Sequence, residues 1–487
     1  MSRIIRRGDV AAFDASTDAI VCGLGGAGAC AALEMRAAGL DVMALEGASA
    51  GGGSTRLSAC EMYLGGSGGT SLQRDLGIED SPENFRRYLM ACFGEFADPA
   101  RVDAFVAGAA AHFDWMESQG VPYRRSLFTG RDVVALTGDS LQYTGNERAW
   151  PFRDLATPVP RGHLPADAGH DGGKVLMDTL LQRVEEAGVE VRCDHRVTAL
   201  IQDDSGRVCG VQVKADNRLH CLEARHGVIL CLGGFIMNER LTRQHIPDLA
   251  AVCTRHGNPG DRGDGILLGV AAGGNAIHMG QAFVGVAHYP PAQLTYGIFV
   301  NAQGQRFVNE DVYLARLGAA VSRQTDMRAW MFIDNRYFAR PDYHDTTVIV
   351  AVGETVAEVE AEAGLPEGSL QQTVATYNRH ARAGHDPLFH KADTWLAPLE
   401  SPPYALVDYS LAQLRPTCFT LGGLDTLPGG EVLSPDREVI PGLFAAGRTA
   451  AGIPRTGEGY ASGMSVADAT FFGRQAGLRL AALARSA

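Results

Sequence analysis

A glycine-rich turn near the start of the sequence has the residue types and spacing of a nucleotide-binding site. It comprises Gly23, Gly25, Gly26, Ala27 and Gly28. Glu46 follows at the end of the next apolar run. Glycines let the backbone approach a pyrophosphate, the N-terminus of the following helix faces its charge, and a carboxylate accepts hydrogen bonds from ribose hydroxyls. The sequence therefore predicts a dinucleotide site.

Glycines and hydroxyl residues directly after Glu46 indicate which dinucleotide is bound. They are Gly47, Gly53, Ser54, Thr55 and Ser58. Flexible backbone and hydroxyl donors suit both a pyrophosphate and the reactive edge of a flavin, whereas a nicotinamide enzyme does not need them. The same hydroxyls could instead form turns. We expect FAD contact.

The elements around these residues follow the order of a Rossmann-type fold. Apolar runs at 18–22 and 41–45 predict strands on either side of an Ala-rich helix at 29–38. Val197, between two later strands, is placed to meet an adenine through its backbone. The later predicted elements are a helix at 173–188, strands at 189–193 and 198–201, a hairpin at 208–213 and 219–223, and a strand at 227–233.

This order of elements resembles the fumarate reductase and 3-ketosteroid dehydrogenase superfamily of flavoproteins, over residues 18 to about 478. Residues 440–448 are similar to its last FAD strand, and residues 461–468 to the helix whose N-terminus stabilises the charge of reduced flavin. Related proteins attach FAD through a histidine within 47–58, where none occurs here, so we expect non-covalent FAD. The resemblance implies further FAD contacts at Gly233, Asp264, Gly447, Arg448, Gly463, Ser465 and Val466.

The implied fold class is α/β, with a discontinuous Rossmann-type (glutathione-reductase-like) FAD domain and an inserted α+β substrate (cap) domain. Aromatic and charged loops with a helix at 369–383 fill the middle of the chain. We therefore expect the FAD domain at 1–274 and 404–487 and the cap domain at 275–403. Arg161, His163 and Tyr143, before the middle FAD segment, could line the entrance to the site, but we expect them to lie in a solvated loop.

Three positions separate this sequence from the fumarate reductases it resembles. The cap motif Gly304-Gln-Arg306-Phe307-Val-Asn309-Glu310 matches theirs, but Leu314 stands where they have an arginine proton donor, with Arg316 two residues late. Phe419 and Tyr460 replace a histidine and an arginine that hold carboxylates. A dianion without these counter-charges would face a desolvation cost of roughly several kcal/mol per charge. We expect an apolar substrate.

Tyr313, Tyr460 and Ser462 are the predicted catalytic residues. Their setting resembles the 3-oxo-5α-steroid Δ4-dehydrogenases, in which two tyrosines and a serine sit over the flavin. The resemblance implies that a hydride leaves carbon 5 for flavin N5 while Tyr313 removes a proton from carbon 4, which Tyr460 and Ser462 relay or steady. Phe419 and Gly463 complete the expected substrate contacts. A phenol is a suitable base if its pKa falls from about 10 towards about 7, which predicts a lowered pKa at Tyr313.

Other functions stay open at this point. A Δ1-dehydrogenase, or a reductase of another small enone, would use similar tyrosines. A flavin-holding subunit without turnover is a third class, against which the intact FAD site and the paired tyrosines speak. Because no second glycine fingerprint for NAD(P) occurs, the electron acceptor stays open among a quinone, a carrier protein and an artificial dye.

Composition excludes several classes of function. The net charge is −13 and the 43 basic residues are scattered, which argues against nucleic acid as a partner. The ten cysteines form no CxxC pair and predict buried thiols in a reducing compartment, without a metal site. No run of eighteen uncharged apolar residues occurs, so we expect a cytoplasmic protein without an integral membrane segment.

Overall fold

The computed structural model describes residues 3–344 and 347–486. The strands are β1 (Ile4–Arg6), β2 (Ala15–Cys22), β3 (Val42–Leu45), β4 (Met62–Tyr63), β5 (Leu141–Gln142), β6 (Gly162–His163), β7 (Glu190–Arg192), β8 (Arg196–Gln202), β9 (Val208–Ala215), β10 (Arg218–Leu230), β11 (Thr254–Arg255), β12 (Ala276–Ile277), β13 (Ala282–Gly285), β14 (Ile298–Val300), β15 (Trp330–Asp334), β16 (Ile349–Gly353), β17 (Tyr404–Asp408), β18 (Thr417–Thr420), β19 (Gly423–Leu424), β20 (Glu431–Leu433) and β21 (Val439–Ala445). The α-helices are α1 (Gly26–Ala37), α2 (Ser71–Asp75), α3 (Pro82–Phe93), α4 (Pro99–Ser118), α5 (Phe152–Leu155), α6 (Gly172–Glu186), α7 (Glu239–His245), α8 (Pro247–Val252), α9 (Asp264–Ala271), α10 (Leu314–Ser322), α11 (Val356–Glu362), α12 (Ser369–Arg382), α13 (Leu411–Leu414) and α14 (Met464–Ser486).

The main sheet has the parallel core that the Rossmann prediction requires. Its strand order is β1-β8-β9-β10-β2-β3-β7, and β21 pairs with β10 and with β20. Strands β2, β3, β7 and the second half of β10 run parallel, as does β21. The predicted separate strands at 219–223 and 227–233 form one continuous strand, β10, with a register shift between Ala224 and Gly227. Its first half pairs with β9 and its second half with β21.

Both faces of β2 are buried, so its side chains alternate between two cores. Ala19 and Val21 pack in the core that contains α1 and α14, while Ile20 and Cys22 pack in the core on the opposite face. Helix α1 lies very close to β2 because a Cβ at Gly28 would come within 1.9 Å of the carbonyl oxygen of Gly23. Contact between α14 and α1 is similarly tight, since a Cβ at Gly473 would lie 2.3 Å from the carbonyl oxygen of Ala27.

A second, antiparallel sheet lies in the middle of the chain. Its order is β14-β15-β17-β16, and α11 and α12 pack beside it around Val359, Val374 and Tyr377. A separate three-stranded sheet has the order β11-β18-β13. The expected cap boundary at residue 403 falls directly before β17, which belongs to the second sheet. The division into domains stays a prediction.

The prediction of a solvated loop at Arg161 and His163 was wrong. Both side chains are fully buried, and His163 lies in β6 between β4 and β5. The Arg161 guanidinium donates two hydrogen bonds to Asp80, at 2.7 and 2.8 Å. The partner lies eighty-one residues away, so spacing along the chain did not reveal it. Among the described helices, none is both long enough and apolar enough to cross a bilayer.

Candidate active site

A cavity of about 1040 Å³ lies at the carboxyl ends of the parallel strands. Its wall includes the residues that follow β2, β3, β10 and β21, and the first residues of α1 and α14. Ligands in open parallel sheets bind at these strand ends, and ligand pockets typically enclose roughly 300–1000 Å³. The cavity is therefore large enough for an extended cofactor together with a second molecule.

The predicted cofactor residues converge on this cavity, with one exception. Those in its wall are Gly23, Gly25, Gly26, Ala27, Glu46, Gly47, Gly53, Ser54, Thr55, Ser58, Val197, Gly233, Asp264, Gly447, Arg448, Gly463, Ser465 and Val466. The exception is Gly28, whose missing side chain serves the contact between α1 and β2 described above. Its predicted cofactor contact is replaced by a packing role.

Glu46 closes one end of the turn between β2 and α1. Its carboxylate accepts hydrogen bonds from the backbone N–H groups of Leu24 at 3.0 Å and Ala48 at 2.9 Å. These bonds fix the carboxylate at the end of β3, beside the N-terminus of α1. A carboxylate next to a glycine turn and a helix N-terminus can hold a ribose and an adjoining pyrophosphate.

The hydroxyls after Glu46 lie in the cavity wall but already bond to the protein. Ser54 donates to Asp261 at 2.6 Å and accepts from the N–H of Asn258 at 2.8 Å. Ser58 donates to the carbonyl oxygen of Thr55 at 2.7 Å. These hydroxyls thus make the bonds within the protein that the turn-forming alternative requires, and their contact with FAD stays a prediction.

Asp261 connects three segments of the cofactor cavity and was missed in the sequence. It pairs with the guanidinium of Arg448 and accepts the hydrogen bond from Ser54. The sequence contains two aspartates in the run Asp261-Arg-Gly-Asp264, and the prediction selected the second. Asp264 lines the cavity too, but it pairs with Arg196 at 2.8 Å and with Arg3 at 3.5 Å.

The predicted catalytic hydroxyls meet at the other part of the cavity. Tyr313 immediately precedes α10, and its hydroxyl is hydrogen-bonded to that of Ser462. Asn146 holds the backbone of Tyr313 by accepting its N–H at 2.9 Å. The hydroxyl of Tyr460 accepts a bond from the N–H of Ser465, at the start of α14, at 3.4 Å. The three predicted residues therefore share one wall.

Gly463 lies between Ser462 and α14, and its lack of a side chain allows the backbone to take the path that places Ser462 beside Tyr313. Its φ of +92° lies in the left-handed region, and a Cβ there would come within 2.6 Å of the carbonyl oxygen of Glu61. The N–H of Tyr63 donates to the carbonyl oxygen of Gly463 at 3.2 Å. Strand β4 and the start of α14 are thereby held together at the site.

Aromatic side chains form an apolar surface next to these hydroxyls. Phe283 in β13 and Phe419 in β18 face each other across the strand pair, and their rings stack with centroids 4.5 Å apart. The ring of Tyr460 packs edge-on against both, at 4.9 and 5.6 Å. Leu314 lines the same cavity, so an apolar ring system would find matching surface here.

Arg316, two residues after the position where fumarate reductases have an arginine proton donor, does not take over that role. Arg316 does not belong to the cavity wall in the described residues; its guanidinium lies over Phe152 and 3.6 Å from Glu458. Arg448, which lies 5.7 Å from the ring of Phe419, is paired with Asp261. These contacts agree with the expectation of an apolar substrate.

The expected lowering of the Tyr313 pKa was wrong. Burial raises the pKa of Tyr313 well above its usual value, and the nearby Glu61 carboxylate raises it further, while the bond to Ser462 opposes the shift. Burial also raises the pKa of Tyr460 to about 12. Both phenols are therefore neutral at physiological pH, because desolvation outweighs the hydrogen bonds that would favour a phenolate.

Two polar side chains in the cavity wall have a buried atom without a partner in the described residues. These atoms are the Ser465 Oγ, in the first turn of α14, and the Glu61 Oε1. Buried polar atoms are nearly always hydrogen-bonded, so orphaned ones in a cavity indicate contact with a ligand. Together with Glu46 and two helix N-termini, the Ser465 hydroxyl fits FAD. Glu61 was missed in the sequence, although a charge between Cys60 and Met62-Tyr63 was a signal.

Comparisons with known proteins agree with this geometry. A family model described as an FAD binding domain matches residues 18–463. The crystal structure of 3-ketosteroid Δ4-(5α)-dehydrogenase from Rhodococcus jostii RHA1, in complex with 4-androstene-3,17-dione, is 37% identical with a TM-score of 0.91, covering 98% of this chain and 99% of that chain.

Two curated relatives extend the comparison. The probable fumarate reductase Ifc3 of Shewanella frigidimarina is 27% identical over 95% of this chain and 74% of its own length. The 3-oxosteroid 1-dehydrogenase of Mycobacterium tuberculosis is 26% identical over 95% of this chain and 97% of its own. The chain therefore belongs to the FAD-binding family of the fumarate reductase and 3-ketosteroid dehydrogenase superfamily, with FAD as its cofactor.

Proposed function

We propose that this protein is an FAD-dependent 3-ketosteroid Δ4-(5α)-dehydrogenase that introduces the double bond between carbons 4 and 5 of 3-oxo-5α-steroids. The observation that carries the proposal is the hydroxyl pair of Tyr313 and Ser462 beside Tyr460, in the wall of the cofactor cavity. The 37% identity to a Δ4-(5α)-dehydrogenase over nearly the full length of both chains supports it.

The cavity suits a steroid better than a dicarboxylate. Phe283, Phe419 and Leu314 offer apolar surface, and the guanidinium of Arg448, 5.7 Å from the ring of Phe419, is already paired with Asp261. The Glu61 carboxyl, which lies in the wall with Tyr313 and Tyr460, would repel a dianion when it is ionised. A flat apolar ketone carries no net charge, so it needs no counter-charge and is not repelled by the Glu61 carboxylate.

The residues of the chain have separate tasks in this reaction. Bound FAD supplies the acceptor for the hydride that leaves carbon 5. The ketone at carbon 3 makes the neighbouring carbon 4 acidic, and Tyr313 takes the proton from it. Ser462 orients the Tyr313 hydroxyl by hydrogen bonding, and Tyr460, held by the N–H of Ser465, steadies the substrate end. The backbone near Gly463 can hold the ketone oxygen.

Anaerobic mixing with 5α-androstane-3,17-dione tests the function. We expect the flavin absorbance to bleach in a single turnover, with a product double bond between carbons 4 and 5 by NMR. A double bond between carbons 1 and 2 would instead identify a Δ1-dehydrogenase. Absence of bleaching with any 3-oxo-5α-steroid would refute both.

Substitutions test the role of the hydroxyls. Tyr313→Phe should slow flavin reduction by about a hundredfold to ten-thousandfold while steroid binding changes little. Tyr460→Phe should also slow it, non-additively with Tyr313→Phe, and Ser462→Ala should cost less because water can replace its hydroxyl. Tyr409→Phe is the matched control, since Tyr409 is buried outside the cavity and its hydroxyl has no partner in the described residues. An unchanged rate in Tyr313→Phe would remove this residue from the mechanism.

A further inference from the structure

Glu61 is a buried carboxyl group in the cavity that the proposed reaction has not yet used. It directly precedes β4, is 7% exposed, and lines the cavity with Tyr313, Tyr460 and Ser462. Its Oε1 has no hydrogen-bond partner, and no ion pair with Glu61 occurs within residues 3–344 and 347–486. An isolated buried carboxyl is costly for folding, which favours a functional reason for it.

The backbone fixes Glu61 beside the catalytic hydroxyls. Its carbonyl oxygen packs against Gly463, the residue after Ser462, and the N–H of Tyr63 donates to the carbonyl of Gly463. The ionisable groups that feel its charge come from four different parts of the chain: Cys60, Tyr313, Tyr343 and Tyr460. The pKa of each is raised, so all four are neutral near pH 7 and none is a counter-ion.

A neutral Tyr313 cannot simply keep the proton that it takes from carbon 4. A phenol that accepts a proton must release its own hydroxyl proton in the same event. Ser462, its hydrogen-bond partner, faces the same restriction, because a neutral hydroxyl can only pass a proton on. The path therefore needs a group that can hold the proton at its end.

We propose that Glu61 is this terminal acceptor, which receives the proton released by Tyr313; the inference rests on the proposed steroid desaturation. The carbon 4–hydrogen bond breaks, and its proton binds the Tyr313 oxygen. In the same event the Tyr313 hydroxyl proton moves, through water in the cavity, to the Glu61 carboxylate. The carbon 4 electron pair forms the new double bond as the hydride leaves carbon 5. The chain ends with neutral Tyr313 and protonated Glu61.

The environment of Glu61 suits this task. Burial raises the pKa of Glu61 to about 7, and a hydrogen bond from its own backbone N–H opposes the shift only partly. A base is most effective when its pKa lies near the working pH, because it is then both available and able to hold the proton. Burial thus has two effects: it keeps the Tyr313 phenol un-ionised, and it brings the pKa of Glu61 close to the working pH.

The first test is the pH profile of flavin reduction in single anaerobic turnovers. In the wild type we expect the rate to rise with pH through an inflection near 7, as Glu61 ionises. In Glu61→Gln the rate should fall by about a hundredfold and its pH profile should lose the inflection, with FAD content and steroid affinity unchanged. Glu61→Asp should keep part of the rate and part of the inflection, because it keeps a carboxyl group. An inflection retained in Glu61→Gln would overturn the proposal.

Glu147→Gln is the matched control. Glu147 is also a fully buried glutamate with a raised pKa, but it bonds to the Tyr63 hydroxyl at 2.8 Å and to the N–H of Gly145 at 2.9 Å, outside the cavity wall. We expect its variant to keep the wild-type inflection. Loss of the inflection in Glu147→Gln as well would mean that burial of any glutamate, and not the position of Glu61, sets the profile.

Two further readouts do not depend on hydride transfer. With the flavin photoreduced beforehand, exchange of the carbon 4 hydrogen of 5α-androstane-3,17-dione with D2O should be slowed about a hundredfold in Glu61→Gln, measured by mass spectrometry. Without steroid, infrared difference spectra of the wild type should contain a carboxyl C=O band that titrates between pH 6 and 8 and is absent from Glu61→Gln. Absence of such a band in the wild type overturns the inference whatever the variants do. If the band is present but no steroid bleaches the flavin, the proposed function has failed instead.

Discussion

The pKa of Glu61 makes a prediction about stability that needs no substrate. Because the folded state binds the Glu61 proton more tightly than an unfolded chain does, this group stabilises the fold fully below pH about 4.5, and that contribution is lost as pH rises through about 7. A shift from 4.5 to about 7 corresponds to about 3 kcal/mol over the whole window. Glu61→Gln removes the dependence, since an amide does not titrate.

The measurement compares the wild type and Glu61→Gln at several pH values. Between pH 5 and pH 8 the wild type should lose roughly 2 kcal/mol relative to the variant. At an unfolding entropy of about 2.1 cal/mol/K per residue, 487 residues that unfold together would show this as a relative fall in Tm of about 2 °C. Differential scanning calorimetry at fixed, saturating FAD would record it.

The exposed Glu83, in the first turn of α3, provides the control. Glu83→Gln should leave the pH dependence of Tm as it is in the wild type. If wild type and Glu61→Gln keep a constant difference in Tm from pH 5 to pH 8, Glu61 does not titrate in this window. The physical basis for its role as proton acceptor would then be lost.

Four further predictions concern the cofactor, the substrate and the cap region. Glu46→Ala should weaken FAD binding by about tenfold to a hundredfold without changing the steroid product, as measured by calorimetric titration of the apoprotein. Denaturation should release all of the FAD into the supernatant, and flavin left on the precipitated chain would contradict non-covalent binding. Fumarate and succinate should cause no change in flavin absorbance, since a measurable reaction would mean that the replaced ionic positions are wrongly aligned. Arg306→Met should destabilise the protein by about 3–5 kcal/mol in urea, because it leaves the buried carboxylates of Glu310 and Asp386 without their shared partner, and a change under 1 kcal/mol would refute this.

The parts of the fold that depend on local sequence could be predicted. The turn at Gly23, the helix after it and Glu46 are neighbours in sequence, and each follows from the spacing of glycines, apolar residues and one acid. The meeting of Tyr313 and Ser462 could be predicted only through the resemblance, because they lie 149 residues apart. Nothing in composition or periodicity brings them together.

The parts that depend on tertiary surroundings could not be predicted. The pKa of Tyr313 is set by how completely the fold removes water from it and by the Glu61 charge, which come from distant segments. The burial of Arg161 follows from Asp80 lying opposite, and the choice of Asp261 over Asp264 follows from where Arg448 lies. In each case the residue type was visible in the sequence, but its partner was not.

The contact between α1 and α14 has a consequence for how the protein matures in the cell. The ribosome delivers β2 and α1 long before β21 and α14, which complete the cofactor wall. Until then the nascent chain exposes the glycine turn and the apolar face of α1 that Gly473 will cover. We therefore expect FAD capture to be a late event that competes with aggregation and proteolysis. Substitutions that enlarge Gly473 should reduce the fraction of purified molecules that contain flavin, while each flavin-containing molecule turns over normally.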